Sequence, residues 1–275
     1  MNKQRELYIY CTGGLGNRFH CLVAGLHICE EAGFKPIIIW PLASACRIKF
    51  NEVFVSQFDV RDNISNIDQS YLISHINLSS NFSHVDAFTS LKSISESFKK
   101  STSNFLVFMC CRVDAFKDLN IAVLDKLKFY ESYLNKAVET ISDREFVGVH
   151  LRSTDYQPRD FDDIYIDIES SKDIFFVCSD SEDLQSRFNS LDNVFVYEKQ
   201  AYPSKIDDNR GWNNPIRDKF GVVTNGNIER SADSVRDAIV DLLVLSKAKE
   251  LHPNTFTGST FYTTAKIISR YYNEN

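Results

Sequence analysis

The chain has no paired CxxC spacing, no basic run, no Pro/Gly-rich linker and no apolar stretch that approaches a membrane span. Each absence removes a class of protein. Seven cysteines (Cys11, Cys21, Cys29, Cys46, Cys110, Cys111 and Cys178) are scattered through 275 residues. That pattern supports neither a zinc site nor a disulfide framework. Most lie inside apolar segments, where cysteine serves as a small core residue. The formal net charge of -6 argues against nucleic acid or an anionic membrane as the main partner. No transmembrane segment is read, at most peripheral membrane contact, and no signal peptide precedes the first strand. A cytoplasmic location is therefore expected.

What is present is an alternation of strands and helices, the signature of doubly wound α/β domains. Leu7–Cys11 reads as a strand, Thr12–Arg18 as a tight turn, and Phe19, Leu22, Val23, Leu26 and Cys29 recur at helical spacing. Gly33 is a C-terminal stop, and Lys35–Trp40 is the next strand. Asn51–Asn104 is polar and weakly periodic, so short helices and loops are expected there. Phe105–Cys111 is a buried strand, and Asp118–Ser142 reads as one helix along Leu124, Leu127, Tyr130, Leu134 and Val138. That helix closes a first domain at residue 142, leaving 143–275 as a second. There, strands at Phe146–Leu151, Asp173–Cys178 and Val194–Tyr197 alternate with helices at Glu182–Leu191 and from Ser231. Ser234 and Asp237 resemble a capping box at that last helix.

Three stretches hold the chemistry. The first is Glu145-Phe-Val-Gly-Val-His-Leu-Arg-Ser-Thr-Asp155, a buried strand ending in polar residues. Open α/β sheets bind ligands at that edge. Arg152 there fits a polyanion site, with its planar fork of donors; a salt bridge with Asp155 is the plainer alternative. The second is Gly14-Leu-Gly16 with Asn17 and Arg18. It lacks the third glycine of a dinucleotide fingerprint, because Phe19 stands there, and no acid caps the second strand. No nicotinamide or flavin cofactor is expected. The turn is either a tight connection or a backbone that approaches a ligand closely. The third is Gly258-Ser259-Thr260, which opens the last helix as a phosphate site or as ordinary N-capping. In the polar loop Lys199–Arg230, Trp212 either stacks on a sugar or base or covers the core.

The order of these motifs resembles the GDP-fucose-dependent fucosyltransferase superfamily: Gly-Gly-Leu-Gly-Asn near the start, His-Leu-Arg-Ser-Thr-Asp in the middle, Cys-Ser-Asp at a strand end, then Asp-Leu-Leu-x-Leu-Ser and Ser-Thr-Phe. The superfamily includes the α-1,6-, Nod-factor and protein O-fucosyltransferases. The resemblance implies α/β architecture with two Rossmann-like domains in a GT-B arrangement. The first domain would lie on the acceptor side and the second would hold the sugar nucleotide. It implies donor contacts from His150, Arg152, Asp180, Asp241, Gly258, Ser259, Thr260 and Phe261. Arg152 would meet the pyrophosphate and Asp241 the guanine edge. Gly14, Gly16, Asn17 and Arg18 would border the sugar and acceptor.

The implied reaction is inverting attack by a glycan or glycolipid hydroxyl on GDP-fucose, with no metal and no further cofactor. Asp160 is the first choice for general base and Asp155 the second. Asp160-Phe-Asp162 also fits the Asp-x-Asp pattern of metal-dependent transferases, a match that an acidic stretch produces cheaply. Ser153 stands where some members have a second arginine, and Tyr156 where some have lysine. Both remove positive charge from the phosphate end and leave two alternatives open: another sugar nucleotide, or a non-catalytic nucleotide- or glycan-binding protein.

Overall fold

The computed structural model describes residues 5–63, 76–77, 91–100, 105–109, 119–154, 161–214, 216, 226–252 and 259–274. The chain divides into two compact units. The first comprises Met1–Leu42 and Lys49–Lys128, and the second Ala43–Ile48 and Phe129–Asn275. The chain passes from the first unit to the second at Lys128–Phe129, and a short early segment joins the second unit.

The first unit contains β1 (Glu6–Tyr10), α1 (Leu15–Ala32), β2 (Lys35–Ile39), α2 (Phe50–Val53), β3 (Phe54–Val55), β4 (Asp59–Arg61), β5 (Ile76–Asn77), α3 (Leu91–Lys100) and β6 (Phe105–Met109). Its sheet runs β4-β2-β1-β6-β5, every pair parallel. β1 sits in the middle, which is why Leu7, Tyr8 and Ile9 are all buried. α1 is the crossover between β1 and β2, and it is buried from Leu15 to Cys29 with the single exception of Asn17. It ends at Gly33, whose φ of 73° lets its N–H reach the Cys29 carbonyl.

β7 (Lys128–Phe129) carries the chain into the second unit, which holds α4 (Glu131–Ile141), β8 (Val147–Leu151), α5 (Phe161–Ser170), β9 (Phe175–Ser179), α6 (Glu182–Asn189), β10 (Val194–Phe195), α7 (Ala232–Leu245), β11 (Glu250–Leu251) and α8 (Thr260–Glu274). The sheet order is β10-β9-β8-β11, again parallel throughout. All of β8 and β9 is buried, and both strands are mostly apolar, with His150 and Ser179 as the polar exceptions near their carboxyl ends. On one side Val147, Val149, Leu151, Phe175 and Val177 share a core with Ile164, Ile168 and Phe188. Burying each such side chain contributes about 1.5–3 kcal/mol. α5 buries those two isoleucines while Asp162, Asp163, Asp167 and Glu169 stay exposed, the solvated acidic face its composition implies. Ala43–Ile48 is tied into this unit: Arg230 donates its backbone N–H to Ser44 and accepts from Arg47, and Arg47 pairs with Glu229.

Two local expectations fail. Asp118–Ser142 is not one helix: among the described residues it holds a 3-10 turn (Ile121–Lys126), β7 and α4. Val138 is 67% exposed, so the helical spacing there marks no buried face; Tyr133 and Ala137 face inward instead. At α7 the N-cap is Ser231, whose hydroxyl accepts from the Ser234 N–H. Asp237 takes no part in a capping box.

Candidate functional site

The carboxyl ends of β8 and β9 finish level, with Leu151 paired to Ser179. The next residues bind each other. Asp180 accepts from the Ser153 backbone N–H at 2.7 Å and the Thr154 N–H at 3.4 Å. It accepts also from the Ser153 hydroxyl at 3.4 Å and, at short range, from the Thr154 hydroxyl. Both of its oxygens are thus committed to the turn that carries Arg152, which is half-buried. Asp180 thereby fixes the shape of this edge of the sheet.

A cavity of about 250 Å³ opens here, lined by Ser153, Thr154, Asp180, Glu182, Tyr202 and Trp212 among others. Trp212 therefore borders the strand-end turn, with Lys205 Nζ 5.6 Å from its ring centre. Asp155, Asp160 and Gly258 lie outside the described residues.

The first turn of α8 packs against β8. The rings of His150 and Phe261 stand 4.8 Å apart at 32°, and His150 is nearly buried. Ser259 is fully buried and caps the helix, its hydroxyl accepting from the Tyr262 N–H at 3.5 Å. Thr260 accepts the Thr264 hydroxyl on its carbonyl at 2.6 Å. The amino end of a helix, with its partial positive charge, is thereby set beside the strand whose next residue is Arg152.

Behind this edge lies a buried ionic pair that sequence reasoning missed. Asp241 on α7 meets Lys199 at 2.6 Å through Oδ2, with 4% and 6% of the two side chains exposed. Lys199 also donates at short range to the Ser179 carbonyl, the end of β9. Asp241 Oδ1 has no hydrogen-bond partner among the described residues. Burial pushes the Asp241 carboxyl up to about 6, while the Lys199 ammonium works against that rise. Burial is the largest influence on Lys199 and opposes its charge, but Asp241, together with Cys178 and Tyr202, holds the ammonium above its ordinary value. One turn earlier on α7, Asp237 accepts from the Gln200 and Ala201 N–H groups at 2.7 and 2.9 Å and from the Tyr197 hydroxyl at 3.3 Å. It clamps the start of the polar loop. Neither role has a signal in sequence, because Lys199 sits in a stretch without period.

In the first unit, the glycine turn leads directly from β1 into α1. Gly13 has a φ of +77°, and a Cβ there would lie 2.8 Å from Asn17 Nδ2, so only glycine fits without strain. Gly14 is the helix N-cap and offers no side chain to it. Gly16 is buried and Asn17 is half-buried. Arg18, expected as a polar contact on this turn, is fully buried beneath it. Its Nε donates to the Gly13 carbonyl at 2.8 Å and its guanidinium lies 4.9 Å from the Trp40 ring centre. Nη1 and Nη2 find no acceptor among the described residues.

Among the described residues, no group of three His, Cys, Asp or Glu side chains is placed to hold a metal, and no helix is long and apolar enough to cross a membrane. Cys11, Cys21, Cys29, Cys46 and Cys178 are buried.

No protein-family model and no curated protein matches the chain by sequence. Solved structures do match. The NodZ alpha-1,6-fucosyltransferase co-crystallized with GDP is similar at a TM-score of 0.59 and 16% identity, over 96% of this chain and 92% of that one. Fucosyltransferase NodZ from Bradyrhizobium is similar at 0.59 and 15%, over 96% and 93%. POFUT1 in complex with GDP-fucose is more distant, at 0.49 and 11%. The likeness is one of fold and spans nearly the whole chain: two Rossmann-like α/β units, the GT-B fold that NodZ has.

Proposed function

We propose that this protein is an inverting, metal-independent glycosyltransferase that moves L-fucose from GDP-fucose to a hydroxyl of a glycan or glycolipid. The observation that carries the reading is the packing of Phe261 on His150. It sets a helix amino end beside the strand that delivers Arg152, and a nucleoside diphosphate leaving group needs such a paired source of positive charge. The fold shared with NodZ supports the same choice.

In this mechanism the acceptor oxygen attacks the anomeric carbon, a new C–O bond forms, and the bond from that carbon to the β-phosphate oxygen breaks. The electron pair of the broken bond leaves with GDP. Negative charge therefore grows on the β-phosphate, where Arg152 and the amides at Gly258–Thr260 answer it. Preorganised donors of this kind typically contribute about 3–4 kcal/mol each. The acceptor proton passes to Asp160, with Asp155 as the second candidate. Asp241 reads the base, and Asp180 acts indirectly by fixing the Ser153–Thr154 turn. We assign Gly14, Gly16 and Asn17 to the sugar and acceptor, with Arg18 holding their turn through the Gly13 carbonyl. A cytoplasmic role in polysaccharide assembly fits this acceptor class.

A second reading, another sugar nucleotide on the same fold, is favoured by Ser153. Its hydroxyl goes to Asp180 rather than adding charge at the phosphate end. Thermal shift with GDP, UDP, ADP and their sugars separates the two. GDP and GDP-fucose are expected to give the largest stabilisation, followed by transfer from GDP-fucose to mixed glycan acceptors. A response to UDP alone removes the fucosyl reading, and GDP binding without transfer or hydrolysis leaves a nucleotide-binding protein.

A further inference from the structure

We propose that Lys199 is a specificity-determining positioning residue: it keeps Asp241 a carboxylate and, by engaging Oδ2, leaves the single uncommitted oxygen, Oδ1, to accept from the donor's base. The inference rests on the reading above, in which Asp241 on α7 reads the base of a nucleoside diphosphate.

The geometry is specific. Lys199 has three N–H bonds. One goes to Asp241 Oδ2 and one to the Ser179 carbonyl. The ammonium also lies 5.1 Å from the ring centre of Tyr202, a residue of the strand-end cavity. Lys199 thus ties α7 to the end of β9 and fixes which carboxylate oxygen is used internally. A buried ion pair is a poor source of stability by itself, because desolvation cancels most of the attraction. Asp237, one turn away, has every donor it needs, from two backbone amides and a phenol. Asp241 does not: Oδ1 is nine-tenths buried and still lacks a donor. That unmet acceptor is what a base edge carrying N–H groups would satisfy. Guanine presents two such groups side by side, N1–H and the 2-amino group, whereas uracil presents one ring N–H and adenine only an exocyclic amine.

Replacing Lys199 with methionine keeps the length and removes the charge. Asp241 would then be a lone buried acid and would take up a proton. Its hydroxyl would oppose guanine's donors instead of accepting from them. Lys199→Arg keeps the charge.

The test is the ratio of IDP to GDP dissociation constants by calorimetry, because inosine differs from guanosine only by the 2-amino group. The wild type is expected to favour GDP by about tenfold or more. Lys199→Met is expected to bring the ratio near one, and Lys199→Arg to keep most of it. A role confined to holding the fold would weaken both nucleotides equally and leave the ratio alone. A wild-type ratio retained in Lys199→Met overturns the proposal. If that variant does not fold, the double variant Lys199→Met/Asp241→Asn, which buries no charge, replaces it; a wild-type ratio there overturns the proposal as well. A wild type that binds UDP or ADP better than GDP overturns the donor reading itself, and this inference with it. A wild type that prefers GDP over UDP yet binds IDP equally well overturns only this one.

Discussion

The first unit builds its sheet edge from neighbours in sequence, whereas the second assembles the equivalent edge from segments as far apart as Arg152 and Phe261. In the first, β1, the Gly13–Gly14 turn and Arg18 follow one another directly, and the buried cation is answered by a backbone oxygen and the face of Trp40. In the second, Asp180 fixes the turn after β8, α8 contributes its amino end, and the buried charge of Asp241 is answered by an opposite charge from the polar loop. Local construction gives a turn of defined shape. Assembly from remote pieces brings polar and charged groups from distant stretches of the chain to the ends of β8 and β9.

The sharpest way to break this contrast is to delete charge on the second edge. Arg152→Ala is expected to lower the transfer rate by about 10²–10³-fold with little change in melting temperature. An unchanged rate would detach Arg152 from the leaving group. Asp180→Ala should cost stability instead, because it strands two backbone amides and two hydroxyls. A loss of about 2–3 kcal/mol is expected, read from urea midpoints, along with weaker GDP binding. Stability within experimental error of the wild type would show that the turn holds without its carboxylate.

The titration of Asp241 gives a smaller effect with a definite sign. Its folded-state value, about 6, lies above the ordinary carboxylate value of about 4. The folded protein therefore binds the proton more tightly, and this group's contribution to stability is present below about pH 4 and lost as pH rises to about 6. Thermal midpoints across that window should decline more steeply in the wild type than in Lys199→Met/Asp241→Asn. Parallel profiles would contradict the assignment. On the first edge, Arg18→Met is expected to change stability by less than about 1 kcal/mol, in either direction, since burying a guanidinium gains little over an apolar chain of similar volume. A drop of several kcal/mol would mean that the Nε bond to Gly13 holds the whole turn in place.

Much of the fold was legible. β1, α1, β2, β8 and β9 each rest on an apolar run or a helical repeat bounded by polar residues or glycine, and burial follows those patterns closely. The helix expected over Asp118–Ser142 failed for a definable reason: Tyr130 and Val138 keep the spacing but are 38% and 67% exposed. Periodicity marks a helix only where the repeated face meets something. The turn residues Arg152, Ser153 and Asp180 could be named from their places at strand ends. Their division of labour could not, because which carboxylate oxygen meets which amide depends on how level the two strands finish. Lys199 was invisible for the same kind of reason. An ion pair joining positions 199 and 241 leaves no trace in either local pattern. Arg18 looked like a surface contact because sequence cannot say on which side of a glycine turn the following arginine falls.

The early segment Ala43–Ile48 has a consequence for how this chain is made. It emerges from the ribosome long before Glu229 and Arg230, its partners in the second unit. Those six residues must wait, unanchored, while the remaining strands are synthesised. A cut at residue 128 would not give two self-sufficient halves either. The later fragment would lack a piece of its own structure, so co-expression of the fragments, rather than the later one alone, is the arrangement from which a folded second unit should be recovered.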